Sequence, residues 1–280
     1  MTLTVTLVVL LAAMLHAGWN ALVKVNADPL VTLALMTAGA ALAAICALPF
    51  VPAPGAAALP WLGLAVLIHS AYKFCLLRAY ALGDFGHVYP LARGTAPLLV
   101  TLISVLWVGE ALSASSLAAV LLLATGVMSL ALRGGARPLR ESRAPVLYAL
   151  ATASFIGSYS VVDALGARAA VSPHGYVVWL FIADAVPICT LALVRRRGRV
   201  IAALGAHWRP GLAGGAMSLL AYWLVIWAMS VSPMAPVSAL RETSVLFAAL
   251  LSVVVLREGF GPVRVFATVC VAAGIGLLAL

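Results

Sequence analysis

Tyr89-Pro-Leu-Ala-Arg-Gly-Thr-Ala-Pro97 decides the fold, because it sets a charged Arg93 inside a segment that otherwise reads as membrane-spanning and runs on to Gly109-Glu110. The same phrase returns later in the chain. A gapless shift of 148 residues lays Arg93 on Arg241, Thr95 on Thr243, Leu98 on Leu246, Leu102 on Leu250, Ser104 on Ser252, Val105 on Val253, Glu110 on Glu258 and Gly126 on Gly274. Over 93–132, 13 of 40 positions are identical. Leu and Ala coincide cheaply in apolar sequence, but Arg, Thr, Ser, Glu and Gly do not. Their recurrence at one spacing reads as a duplicated chain.

Composition fixes the solvent. With 65% hydrophobic residues, 9% charged and a mean hydropathy of +1.15, the 280-residue chain is an integral membrane protein, since soluble domains are about a quarter charged. The net charge of +9 is no nucleic-acid footprint, because the arginines collect in short linkers rather than on a folded face. The apolar stretch from Leu3 to Leu15 has no charged region before it and no cleavage site after it, so it reads as a first spanning helix. Cys46, Cys75, Cys189 and Cys270 stand singly in apolar segments and read as buried free thiols, with no metal or cofactor expected.

Ten spans are expected, at 3–25, 29–50, 61–82, 86–108, 113–132, 145–167, 175–194, 211–231, 235–256 and 261–280. Most links are short, as at Val51-Pro-Ala-Pro-Gly55. Two are arginine-rich: Arg133–Arg143 at the middle of the chain, and Arg195-Arg-Arg-Gly-Arg199 onward to Arg209. The first separates residues 1–135 from 142–280, five spans each. Five is odd, so homologous halves in tandem lie in opposite orientations. The expected fold is all-α, ten transmembrane helices as two inverted five-helix repeats, with a ligand site near the bilayer midplane. Links 1/2, 3/4, 5/6, 7/8 and 9/10 share one face and hold nearly all the loop arginines. The positive-inside rule puts that face in the cytoplasm and both termini outside a plasma (inner) membrane.

Each ionisable group within a span needs a reason, since it costs at least ~2.5–3.5 kcal/mol at the bilayer centre. His16, His69, Lys73 and Asp184 fall near the expected midplane; Arg78, Arg93, Asp163, Arg241 and Glu242 fall about a third of the way in. In an inverted repeat Arg93 and Arg241 approach the midplane from opposite sides, and their guanidinium forks suit a carboxylate or phosphate. Pro90, Pro97 and Pro236 weaken the backbone ladder nearby. The plainer reading pairs Arg241 with Glu242 or another acid and lets Arg93 snorkel. Lys73 either pairs with Asp184 or faces a wet cavity as an anion ligand. Asn20, Tyr89, Tyr222 and Trp223 are further candidates to line the site. Glu242, Asp184, Asp163, His16 and His69 are the candidates to carry a coupling proton, although a single His is more often a hydrogen-bonded core residue. Glu110 and Glu258, at span ends, read as structural.

Ten spans in two halves, each fourth helix closing on Gly109-Glu110 or Arg257-Glu258 and followed by a helix bearing Gly126 or Gly274, resemble the drug/metabolite transporter superfamily, in particular proteins with two EamA-type domains. The resemblance covers essentially the whole chain. It implies a secondary carrier working by alternating access through a cavity lined by helices 1, 3, 4, 6, 8 and 9, exporting amino acids or other small metabolites. Members that carry phosphates bind the anion with basic residues on the fourth and ninth helices, where Arg93 and Arg241 stand. The resemblance also implies cytoplasmic termini, the reverse of what the charge bias gives. The expectation is therefore an exporter of an amino acid or another carboxylate- or phosphonate-bearing solute, coupled to protons or to exchange, monomeric and not an enzyme. No HExxH, paired Asp or nucleophile elbow supports intramembrane catalysis. A hydrophobic-drug exporter or a flippase of lipid-linked solutes is the alternative; a pump for cations would show an unpaired mid-membrane carboxylate with few bases.

Overall fold

The computed structural model describes residues 1–22, 28–83, 85–131, 143–248 and 261–279, without the side chains of 20–22, 85–87 and 279. Most of these residues are helical, with no strand among them. The helices are α1 (Leu3–Leu22), α2 (Pro29–Ala47), α3 (Leu59–Leu82), α4 (Phe85–Ile103), α5 (Ala114–Ser129), α6 (Ala144–Ala169), α7 (Pro173–Val231), α8 (Met234–Arg241) and α9 (Pro262–Ala279). Five helical stretches are long and apolar enough to cross a membrane: Pro29–Phe50, Ala56–Leu82, Val88–Val108, Ala144–Ala169 and Pro173–Val231. Three shorter apolar helices accompany them.

The described helices number nine because two expected spans are one element. At about 1.5 Å per residue the 59 residues of α7 would stretch to roughly 90 Å, three times the hydrocarbon thickness, so α7 must fold back. It does so at Arg196 (φ −142°, ψ 29°) and His207 (φ −128°, ψ 19°), which leave the helical region. Between those breaks the arginine-rich stretch stays helical instead of forming the expected loop. Val200 and Ala203 of this arm pack on Val31, Ala34 and Leu35 of α2, while Ile201 and Leu204 stay exposed.

Local chemistry sets the helix ends. Asp28 caps α2 by accepting the backbone N–H groups of Leu30 and Val31 at 3.2 and 3.4 Å, with Pro29 in the first turn. α4 holds both Pro90 and Pro97, widens into a π-type turn over Ser104–Val108, and stops at Gly109, whose φ of 76° lies in the left-handed region that favours glycine. Pro236 breaks nothing, because it falls in the first turn of α8, where its N–H would have no partner anyway.

Close crossings between helices are made by small residues, as expected where apolar surface alone cannot drive association. Gly39 on α2 meets the backbone of Gly211 and Leu212, and Gly215 meets the backbone of Met36, Gly39 and Ala40. The repeated glycines also have a place. A Cβ on Gly126 (α5) would lie 3.0 Å from Ala267 O and Cys270 Cβ, and one on Gly274 (α9) would lie 2.8 Å from Leu123 Cγ and 3.2 Å from Ala119 O. The two helices therefore run antiparallel, each presenting its glycine to the other. Among the cysteines, Cys75 and Cys270 are buried free thiols, whereas Cys46 sits on the exposed side of α2.

The loop ends sort into two faces. On one, Val171 N–H donates to Pro54 O at 3.0 Å, and Arg168 reaches the turn before α8. On the other, Arg196 and Arg199 of the arm reach Asp28 at 3.3 and 2.8 Å. Burial opposes ionisation of Asp28, but the Arg199 hydrogen bond, the two capping N–H groups and Arg196 outweigh it and hold its carboxyl below the usual range.

Candidate functional site

α8 ends in the interior, and its ending builds the site. Past Arg241 the backbone tightens into i→i+3 bonds: Glu242 N–H to Ala239 O, Thr243 N–H to Leu240 O and Val245 N–H to Glu242 O, each 3.1 Å. Thr243 Oγ1 also donates to Leu240 O at 2.8 Å, competing for a carbonyl the helix would use. Helical structure resumes at Ser244 and is described to residue 248. The break sets Glu242, wholly buried, against two guanidinium groups. Arg241 donates from Nε and Nη2 to Glu242 Oε1 at 3.2 and 3.1 Å. Arg93, arriving from α4, places its Nε against Glu242 Oε2 and donates from Nη2 to Ser244 Oγ at 3.3 Å. Arg93 is 4% and Arg241 3% exposed, so neither snorkels. The two arginines thus converge on one carboxylate. Tyr89 lies under the Arg93 guanidinium at 5.9 Å, and His16, edge-on to Trp19, feels the charges of both arginines from α1.

This grouping is stable only as a set, because a buried charge that loses its partner is far costlier than the pair. It is also incomplete. The Arg93 Nε–Glu242 Oε2 contact is an ion pair without alignment, and neither atom has a hydrogen-bond partner among the described residues. Buried Ser160 Oγ on α6 and Ser238 Oγ on α8 likewise have none.

A second polar centre lies across an aromatic layer. Asp163 on α6 is wholly buried and accepts Tyr176 Oη–H at 3.0 Å and Tyr222 Oη–H, with His69 Nε2 2.9 Å from its Oδ2. One carboxylate thereby joins α3, α6 and both limbs of α7. His69 stacks on Tyr159 at 4.1 Å, and Tyr72 and Tyr222 meet that ring edge-on. Ala96, one turn past Arg93, packs into the same layer and connects the two centres. Tyr176 was not legible as a site residue, although Gly166 signals it: a Cβ there would run into the Tyr176 ring.

The remaining candidates separate. Lys73 holds Asp184 by its carboxylate and, at 3.3 Å, by its backbone oxygen, both residues buried, so the ion pair and not the open cavity is its place. Trp223 is drawn away from both centres, its Nε1–H donating to His174 Nδ1 at 2.7 Å. Arg78 is exposed, its guanidinium over Phe74. The Asn20 side chain lies outside the described residues, as do Glu258 and the part of the ninth span beyond 248. Glu110 takes a structural position: Oε1 pairs with Arg168 at 2.8 Å, and Oε2 accepts the orphan N–H of Met234 at the start of α8, also at 2.8 Å.

Apolar helices long enough to span a bilayer, enclosing paired charges they could not carry unpaired, define a multi-pass membrane protein with a charged interior. Residues 143–280, the second half of the chain, match the EamA-like transporter family. A protein of solved crystal structure superposes with a TM-score of 0.76 at 20% identity, covering 98% of this chain and 95% of that one, a likeness of fold. No curated protein matches the sequence.

Proposed function

We propose that the protein is a secondary active transporter that exports a small carboxylate-bearing metabolite, an amino acid foremost, by alternating access between inverted halves at residues 1–135 and 142–280. The observation that carries this reading is the meeting of Arg93 and Arg241 on one buried carboxylate, which displays the geometry a substrate carboxylate would adopt. Arg93, Arg241 and Tyr89 hold the substrate. The His69–Asp163 pair, with Tyr222, is the first candidate to carry a coupling proton, since its His is 12% exposed while its Asp is sealed. Lys73–Asp184 is structural.

Two features support the inverted halves. Gly126 meets the region of Cys270, which the 148-residue shift places on Leu122, and Gly274 meets Leu123. This is the reciprocal pattern of a two-fold interface. The odd-numbered and even-numbered loops also sort onto separate faces. With the arginine-bearing face in the cytoplasm, both termini lie outside.

The test is a thermal-shift screen of the purified protein against amino acids, organic acids and phosphonates, with Arg93→Gln alongside. A ligand that binds only the folded state raises the melting temperature by mass action. An anionic or zwitterionic ligand whose shift is absent in Arg93→Gln supports the reading. Shifts only with lipophilic cations, equal in both proteins, defeat it.

A further inference from the structure

We propose that the arm between Arg196 and His207 is a binding site for the headgroup phosphates of anionic phospholipids. Arg195 and Arg197 are its direct ligands, and Ile201, Leu204 and Trp208 sit beside the acyl chains.

Depth places the arm at the membrane surface. The limbs of α7 before and after the two breaks each run roughly 35 Å at about 1.5 Å per residue, close to one hydrocarbon thickness. Both breaks therefore fall at one edge of the bilayer, and the helical stretch between them lies at headgroup level. Trp208 suits that level: it is exposed, with the Arg209 guanidinium 5.3 Å from its ring centre.

The arm has three faces. Arg196, Arg199, Val200 and Ala203 recur at helical spacing and turn inward, the arginines to Asp28 and the apolar pair to α2. Arg197, Ile201 and Leu204 recur in the same way on a second face, and all three are exposed. Apolar side chains exposed at headgroup depth have acyl chains for a neighbour, and a guanidinium one turn away stands at the level of the phosphates. The third face, of Gly198, Ala202 and Gly205, is exposed and carries nothing larger than a methyl group, which leaves a protein partner little to grip.

Charge selects the anionic lipid. From 195 to 209 five arginines meet one described carboxylate, Asp28, which leaves four positive charges. Asp28 ties down Arg196 and Arg199, whose side chains remain 48% and 68% exposed, so it fixes the arm on α2 without neutralising it. Arg195 and Arg197 are exposed and pair with no carboxylate among the described residues. Guanidinium forks match phosphate oxygens in pairs. A zwitterionic headgroup brings its own ammonium and adds no net attraction, whereas an anionic one is drawn by the whole surplus.

The experiment adds phosphatidylglycerol, phosphatidylcholine or glycerol phosphate to the delipidated full chain in neutral detergent, and native mass spectrometry reads the bound fraction. Phosphatidylglycerol is expected to bind in preference to phosphatidylcholine, and glycerol phosphate not to compete with it. The affinity should fall about fivefold for each arginine removed and about 25-fold in Arg195→Gln/Arg197→Gln. Arg78→Gln/Arg143→Gln, which removes the same charge from exposed positions elsewhere, should bind as wild type does. Ile201→Ser/Leu204→Ser should weaken the lipid with no change of charge. An equal loss in the two arginine pairs overturns the proposal, because the attraction then belongs to net charge and not to the arm. Competition by glycerol phosphate, or an affinity indifferent to Ile201→Ser/Leu204→Ser, also overturns it, since the site then takes a soluble anion. Equal binding of both lipids by the wild type overturns it without recourse to any variant.

Discussion

Replacing Lys73 by Met while leaving Asp184 in place should be among the most damaging single changes in the bundle. The pair is sealed, with Lys73 6% and Asp184 8% exposed, and the ammonium serves both the carboxylate and the backbone oxygen of its partner. Removing one member of a buried ion pair costs about 3–5 kcal/mol, because the survivor keeps its charge without compensation. That is roughly two to three and a half powers of ten in the unfolding constant. Asp184 Oδ1 already lacks a hydrogen-bond partner among the described residues, so the pair is imperfect and the lower end of the range applies. Asp184→Leu alone should cost a similar amount. The double variant Lys73→Met/Asp184→Leu should return to within about 1 kcal/mol of wild type, since buried pairs replaced by apolar residues are often neutral. Reversible unfolding in mixed micelles of rising SDS fraction, followed by tryptophan fluorescence, measures all four proteins. A double variant that loses the sum of the two single losses would refute the reasoning, because it would show two independent sites rather than a pair. Transport by the double variant should persist.

Gly215→Ala should destabilise the protein by more than about 2 kcal/mol, since its Cβ would strike the backbone of Met36 and Ala40, whereas Gly276→Ala, which faces open space, should be neutral or slightly stabilising in the same micelle assay. Glu110→Ala should cost about 1–2 kcal/mol by exposing the Met234 N–H and releasing Arg168, and Glu110→Gln should recover part of the cap but not the ion pair. Asp28 gives a pH dependence. Its folded carboxyl titrates below its unfolded value, so its contribution is present above that unfolded value, near pH 4, and disappears as the pH falls through the folded one. In Asp28→Asn the acid limb of the stability profile should flatten.

The bundle was legible because long apolar runs admit few interpretations, and Arg93 and Arg241 were legible because a charge in lipid demands a partner. What escaped the sequence escaped for identifiable reasons. The arm between Arg196 and His207 begins within the arginine run 195–199, which read as a loop, yet nothing in it forbids a helix and α2 offers it an apolar bed. The break after Arg241 has neither Gly nor Pro to announce it; it arises from Thr243 hydrogen-bonding and from the capture of Glu242 by an arginine 149 positions earlier. Trp223 looked equivalent to Tyr222, but adjacent helical positions point about 100° apart, and only Tyr222 reaches Asp163.

The bonds around Glu110 bear on how one end of the molecule moves. Arg168 donates to the carbonyls of Met229 and Ser232 at 2.9–3.1 Å and to Glu110, while Glu110 accepts from Met234. The start of the α4–α5 link, the end of α6 and the turn between α7 and α8 are thus one mechanical joint. None of the three can fray alone. Backbone amides near residues 110, 168 and 234 should exchange with deuterium as a single cooperative group, and raising the salt concentration should loosen all three together.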